Sequence, residues 1–152
     1  MSVTKLQPYQ GSYLMPSFEH ATVADAMHPG ILSVSPDASL TEVARMMATR
    51  RVHCAAVMGL SHEHGGESLA WGLISDLDLV QAGLAKDPEK TAATLAQEPI
   101  ISVEPSTPIR EAAQMMLGHN EAHVVVIDPG TQRPIGILST LDIAGILAWG
   151  EA

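Results

Sequence analysis

Apolar residues recur along the chain with helical and strand spacing, and they do so twice in the same order. Each copy opens with a short predicted helix, at residues 22–27 and 91–96. A longer amphipathic helix comes later in each copy, because four apolar residues fall at positions i, i+3, i+4 and i+7. These residues are Leu40, Val43, Ala44 and Met47 in the first copy and Ile109, Ala112, Ala113 and Met116 in the second.

Short apolar runs on either side of each amphipathic helix predict three strands per copy. One strand precedes the helix and two follow it as a hairpin, after which a last helix begins at Ser75 or Ser139. The predicted strands are 31–35, 53–58 and 69–74 in the first copy and 100–104, 123–127 and 135–138 in the second.

The boundaries of the amphipathic helices carry start signals. Ser39 and Glu42 have the spacing of a capping box. Thr107 followed by Pro108 predicts an N-cap and then a first helical residue.

The repeat extends to residue identity. A Ser-Val-x-Pro segment occurs at 33–36 and 102–105, and a Gly-φ-φ-Ser-x-x-Asp segment, where φ is apolar, occurs at 72–78 and 136–142. The first copy carries the longer hairpin connection, residues 59–68, which is rich in turn formers.

One copy of about 60 residues would bury too little surface to be stable alone, so the two copies are expected to pack together. The predicted fold class is α+β: two β-α-β-β-α repeats packed through their sheets with pseudo-two-fold symmetry. The predicted organisation is an N-terminal arm at 1–19, a first repeat at 20–85, a linker at 86–90 and a second repeat at 91–149.

Composition narrows the function classes. The formal net charge of −9 argues against a nucleic-acid partner, which needs a basic surface, and against docking on an anionic membrane. No apolar run reaches the length of a membrane-spanning helix, and the N-terminus has no secretory pattern. The single cysteine, Cys54, is typical of an intracellular chain, so a cytoplasmic location is expected.

The two Gly-φ-φ-Ser-x-x-Asp segments are the candidate ligand-binding sites. Ser75 and Ser139 lie at strand-to-helix junctions, where free backbone N–H groups and the positive helix end suit a phosphate. Asp78 and Asp142 follow one turn later on the same face and could accept ribose hydroxyls. The alternative is that Ser-x-x-Asp only caps the helix.

The duplicated motifs resemble those of a tandem pair of cystathionine β-synthase (CBS) domains, a Bateman module, over residues 21–147. The resemblance implies an adenosine-containing ligand (AMP, ADP, ATP or S-adenosylmethionine) in clefts between the repeats. It implies that Ser75 and Ser139 contact phosphate and that Asp78 and Asp142 contact ribose, with Asp76 and Thr140 in the same motifs. The residues that it places around the base are Leu32, Ser33, His53, Cys54, Ile101, Ser102, Ala122 and His123.

The expected function is therefore a non-catalytic regulatory module that binds an adenine nucleotide and requires no other cofactor. The alternatives are a docking or dimerisation module with empty clefts, and an S-adenosylmethionine sensor. An enzyme is not expected, because no nucleophile motif is present. His62 and His64 could form a metal site, but their Gly- and Ser-rich surroundings favour a solvated loop. The expected partners are the nucleotide, a second copy of the chain as a homodimer, and an unidentified regulated protein.

Overall fold

A computed structural model describes residues 15–60, 71–86 and 90–151 of the chain. It contains six helices and seven strands in two sheets, which confirms the α+β fold class. In chain order the elements are α1 (Val23–Ala26), β1 (His28–Pro29), β2 (Ser33–Val34), α2 (Leu40–Arg50), β3 (Cys54–Met58), β4 (Trp71–Ser75), α3 (Asp76–Ala85), α4 (Ala92–Leu95), β5 (Ser102–Val103), α5 (Ile109–His119), β6 (His123–Ile127), β7 (Pro134–Ser139) and α6 (Thr140–Trp149).

Several sequence predictions fall wholly or partly outside the described residues. These are most of the N-terminal arm, most of the 59–68 connection with His62 and His64, the beginning of the predicted 69–74 strand, and residues 87–89 of the linker.

The described residues fall into two compact units. Unit A contains the described residues of Pro29–Ile100 and Gly130–Ile135. Its sheet has the order β2-β3-β4, with β2 parallel to β3 and β3 antiparallel to β4. The Trp71 indole N–H donates to the Gln132 carbonyl at 3.0 Å, which ties the 130–135 segment to β4.

The main buried cluster of unit A consists of aliphatic residues and methionine, and Trp71 is buried beside β3. The α2 residues predicted to face the core do so at Val43 and Met47, which are 0% and 3% exposed. The buried cluster comprises Val34, Val43, Met47, Ala55, Val57, Ile74, Ala82, Ala92 and Leu95.

Unit B contains the described residues of Met1–His28, Ile101–Pro129 and Gly136–Ala152. The second sheet has the order β1-β7-β6-β5, with β5 parallel to β6. The helix α5 buries Ile109, Ala112 and Met116, three of the four residues predicted to face the core.

The short opening helices do not pack with the repeat that they begin. Val23 N–H of α1 donates to the Thr107 carbonyl in unit B, and Ala92 N–H of α4 donates to the Ala38 carbonyl in unit A. Each short helix therefore completes the unit that is formed mainly by the other repeat.

Helix and strand boundaries agree with the sequence in part. Ser39 and Glu42 form the predicted capping box of α2. The prediction of Thr107 as N-cap was wrong by one residue, because the N-cap of α5 is Pro108. The Thr107 hydroxyl instead accepts a hydrogen bond from Glu104 N–H. The strands β2 and β5 are shorter than predicted. Over the described ranges, no helix is long and apolar enough to span a bilayer.

Candidate functional site

The last helix of unit A begins at the predicted Ser-x-x-Asp motif. Ser75 ends β4 and is the N-cap of α3. Its Oγ accepts a hydrogen bond from Asp78 N–H at 3.1 Å, and Asp78 Oδ2 accepts one from Ser75 N–H at 2.8 Å. This reciprocal arrangement satisfies two backbone donors that a helix start leaves unpaired.

The last helix of unit B repeats the same geometry. Ser139 ends β7 and caps α6. Its Oγ accepts from Asp142 N–H at 3.1 Å, and Asp142 Oδ2 accepts from Ser139 N–H at 2.8 Å. The capping role that the sequence left open is therefore present in both units. It does not use up the motif, because each hydroxyl keeps its own proton to donate and each carboxylate oxygen has a second lone pair.

Each aspartate also holds a second partner that the sequence reasoning missed. Gln97 Nε2 donates to Asp78 Oδ1 at 3.0 Å, and His28 Nδ1 lies 3.0 Å from Asp142 Oδ1. The Asp142 side chain is only 8% exposed. Gln97 and His28 occupy matching places in the repeat, three residues before the Ile-Leu and Ile-Ile pairs of the first strands. That matching spacing was the signal that could have identified them.

The first residue of each last helix differs between the units. In unit A, Asp76 N–H donates to the His53 carbonyl at 2.9 Å. The Asp76 side chain accepts from Leu77 N–H through Oδ1 at 2.9 Å and lies 2.8 Å from His53 Nδ1 through Oδ2. In unit B the corresponding backbone bond runs from Thr140 N–H to the Ala122 carbonyl at 3.0 Å.

The predicted base-flanking residues lie on the strands next to these motifs or immediately before them. In unit A, the ladder of β3 and β4 pairs Cys54 with Ser75, and the carbonyl of Leu32 accepts from Ala56 N–H at 2.7 Å. Ser33 pairs with Ala56 on the neighbouring parallel strand. The structure thus brings His53 and Cys54 directly beside Ser75 and Asp76, while Leu32 and Ser33 lie one strand further away.

Unit B has the corresponding arrangement. Ala122 contacts Thr140 through the backbone, and His123 begins the adjacent strand β6. Ser102 pairs with Val125 on that strand, and Ile101 is buried.

The thiol of Cys54 is a poor candidate for a nucleophile. Burial, with a smaller contribution from the negative charge of Asp76, raises the pKa of Cys54 to about 11. A thiol with such a pKa is almost fully protonated at neutral pH and is a weak nucleophile.

A cavity of about 320 Å³ lies beside Asp78 within unit A. Its wall combines side chains of α3 with residues that flank and form α4. The lining residues are Asp78, Gln81, Ala82, Ala85, Lys90, Thr94, Leu95 and Gln97. No group of three or more His, Cys, Asp or Glu residues that could hold a metal ion occurs among the described residues.

Comparison with family models matches the chain to one family. A model of the CBS domain matches the chain twice, at residues 23–85 and 92–148. A search of curated proteins gave no match.

Similar solved structures span nearly the whole chain. A CBS domain protein from Pyrobaculum aerophilum complexed with AMP is 26% identical, with a TM-score of 0.66 over 84% of this chain and 98% of that one. Hypoxic Response Protein I with two coordinated zinc ions is 29% identical, with a TM-score of 0.63 over 82% and 98%. A CBS domain pair in complex with 5′-methylthioadenosine and S-adenosyl-L-methionine is 23% identical, with a TM-score of 0.68 over 84% and 96%.

Proposed function

The chain belongs to the CBS domain family as a tandem pair of these domains, and on that premise we propose that it is a non-catalytic regulatory module that binds an adenine nucleotide. The observation that carries this proposal is the duplicated Ser-x-x-Asp motif at the first turn of α3 and of α6. The AMP complex of the Pyrobaculum aerophilum protein, which is 26% identical, supports the same ligand class.

The serines supply the contact for a phosphate or another polar 5′ group. Ser75 and Ser139 each accept one backbone hydrogen bond, and each retains a hydroxyl proton that it can donate. Each serine lies at the positive end of a ten-residue helix, which favours an anion where no side-chain carboxylate opposes it.

The aspartates supply the contact for the ribose. Asp78 and Asp142 are each held by two hydrogen bonds or ion-pair contacts, so their carboxylates are fixed before a ligand arrives. A vicinal diol can donate to the remaining lone pairs of such a carboxylate. The cavity beside Asp78 provides space for a bound molecule in unit A.

The experiment is thermal unfolding of the full chain with AMP, ADP, ATP or S-adenosylmethionine. A ligand at about 100 times its Kd stabilises the folded state by about 2.7 kcal/mol, which for a chain of this size raises Tm by roughly 5–10 °C. The double variant Ser75→Ala/Ser139→Ala should lose most of this ligand-induced increase, and Asp37→Ala, an exposed residue outside the motifs, should keep it. No response to any of the four compounds would contradict the proposal.

The absence of catalysis is part of the proposal and has its own test. Chromatography of AMP, ADP and ATP after prolonged incubation with the protein should recover each compound unchanged. Turnover that depends on the protein would show that the module is an enzyme.

A second function, docking through self-association, is favoured by the exposed apolar faces of the last helices. Leu77, Val80 and Leu84 of α3 are 64%, 57% and 78% exposed. On α6, Leu141 and Leu147 are 79% and 65% exposed. Exposed apolar surface of this kind marks interaction sites. We propose that a second copy of the chain covers these faces in a homodimer.

Light scattering after size-exclusion chromatography tests this homodimer. The wild-type chain should elute with twice the monomer mass, and Leu84→Asp or Leu141→Asp should elute as a folded monomer. A wild-type monomer at all concentrations would refute the homodimer. The proposed setting is the cytoplasm, where a regulated protein that remains to be identified would receive the signal.

A further inference from the structure

The two Ser-x-x-Asp motifs differ in charge at the residue that follows the serine. Asp76 and Thr140 occupy matching places in the repeated segments, as do His53 and Ala122 beside them. The backbone contact is the same in both units, since Asp76 N–H donates to His53 O and Thr140 N–H to Ala122 O. Only the side chains differ. Unit A therefore has a carboxylate and an imidazole where unit B has a hydroxyl and a methyl group.

The Asp76 carboxylate already serves as an anion in unit A. Its Oδ1 accepts the N–H of Leu77, a backbone donor in the first turn of α3 that a ligand phosphate could otherwise use. Its Oδ2 lies 2.8 Å from His53 Nδ1. The imidazole can at most offset the carboxylate, so the pair offers no net positive charge to a phosphate. A phosphate placed at Ser75 would therefore meet a filled and unfavourable environment.

In unit B the matching positions carry no charge. The threonine hydroxyl of Thr140 can donate a hydrogen bond, and it does not oppose the partial positive charge at the start of α6. A phosphate bound at Ser139 would meet no carboxylate from residue 140.

We propose that Asp76 makes the two units selective for different classes of adenosine compound. Unit B takes a phosphorylated compound such as AMP. Unit A takes an adenosine derivative without phosphate, with a neutral or cationic 5′ substituent such as the sulfonium of S-adenosylmethionine. This inference rests on the proposed nucleotide-binding function.

The test is isothermal titration calorimetry of the full-length protein with AMP and, separately, with S-adenosylmethionine. The wild-type chain should bind AMP at one strong site, which Asp142→Ala removes and Asp78→Ala leaves. The isosteric variant Asp76→Asn keeps an oxygen that can accept from Leu77 N–H and removes only the charge.

Asp76→Asn should strengthen AMP binding in unit A by about fivefold to thirtyfold, because one unit of repulsion near a partly exposed phosphate corresponds to about 1–2 kcal/mol. Asp76 and His53 are 58% and 61% exposed, so the lower part of this range is expected. The same variant should weaken S-adenosylmethionine binding. Thr140→Asp should weaken AMP binding in unit B by a similar factor.

The outcomes separate this inference from the function on which it rests. If neither compound binds the wild-type protein, the proposed function is wrong. If AMP binds both units of the wild-type protein with equal affinity, or if Asp76→Asn and Thr140→Asp leave AMP affinities unchanged, the function stands and the selectivity is wrong. An AMP titration of His53→Ala provides a control. This variant removes the imidazole and keeps the carboxylate, so its AMP binding in unit A should not improve.

Discussion

Gly136 in β7 offers the sharpest test of the packing around the Ser-x-x-Asp motif of unit B, residues 139–142. A Cβ atom at this position would lie 2.5 Å from the carbonyl oxygen of His28 and 2.7 Å from Cε of Met27. The methionine tip can move at little cost, but the carbonyl belongs to the backbone next to β7 in the sheet. Gly136→Ala must therefore displace β1 from β7.

The expected cost follows from overpacking a well-ordered site. Adding one methyl group against backbone costs about 1–3 kcal/mol, which lowers Tm by roughly 2–12 °C for a chain of this length. The displacement should also loosen the contact between His28 and Asp142, because both residues lie close to the same strand pair.

Gly83 provides the matched control, because it lies in α3 and a Cβ there meets nothing within 4 Å. Gly83→Ala should stabilise the protein by about 0.5–1 kcal/mol, since alanine loses less backbone entropy in a helix. Differential scanning calorimetry of both variants measures the two effects. A Tm for Gly136→Ala equal to or above that of the wild type, with the expected gain for Gly83→Ala, would refute the close approach of His28.

Three further predictions concern stability and titration. Ile109→Ala, which empties a fully buried position, should lower the free energy of unfolding in denaturant by about 2–5 kcal/mol. Leu117→Ala, at an 83% exposed position, should change it by less than about 0.5 kcal/mol. Equal costs would contradict the assigned core. The folded state raises the pKa of Cys54 to about 11, whereas the unfolded pKa is about 8.5. The stability contributed by the protonated thiol is therefore complete below about pH 8.5. It is lost as the pH rises from about 8.5 to about 11, and the free energy of unfolding falls by up to roughly 3 kcal/mol. Cys54→Ala should remove this alkaline loss in urea titrations at pH 8 and pH 10.5, and an identical loss in the variant would exclude the thiol as its source. Backbone and side-chain hydrogen bonds with Ser39 hold the pKa of Glu42 below its ordinary value, so Ser39→Ala should raise that pKa in an NMR titration, and no change would show that the side-chain bond is not a cause.

The sequence was sufficient for the local features of the fold. The helical spacing in α2 and α5 predicts the buried faces, because the side chains of one helix face must meet the core at that period. The Ser-x-x-Asp spacing likewise predicts the two caps, since the contacts of Ser75 with Asp78 and of Ser139 with Asp142 span a single turn.

The sequence did not predict features that depend on contacts between residues far apart in the chain. The packing of α1 with unit B depends on a backbone bond from Val23 to Thr107, and no periodicity encodes such a pairing. The second partners of the aspartates, Gln97 and His28, are also far from them in sequence. Thr107 could cap a helix or a turn, and only the position of Glu104 N–H decides between them.

The most direct measurement of the central claim is the affinity of AMP for Asp142→Ala compared with the wild-type chain, by equilibrium dialysis. If the carboxylate at the first turn of α6 accepts the ribose hydroxyls, its removal should weaken AMP binding by at least about tenfold, the range expected for a lost hydrogen bond to a charged group. Circular dichroism should confirm that the variant remains folded. An unchanged AMP affinity in folded Asp142→Ala, and also in folded Asp78→Ala, would contradict nucleotide binding at these motifs.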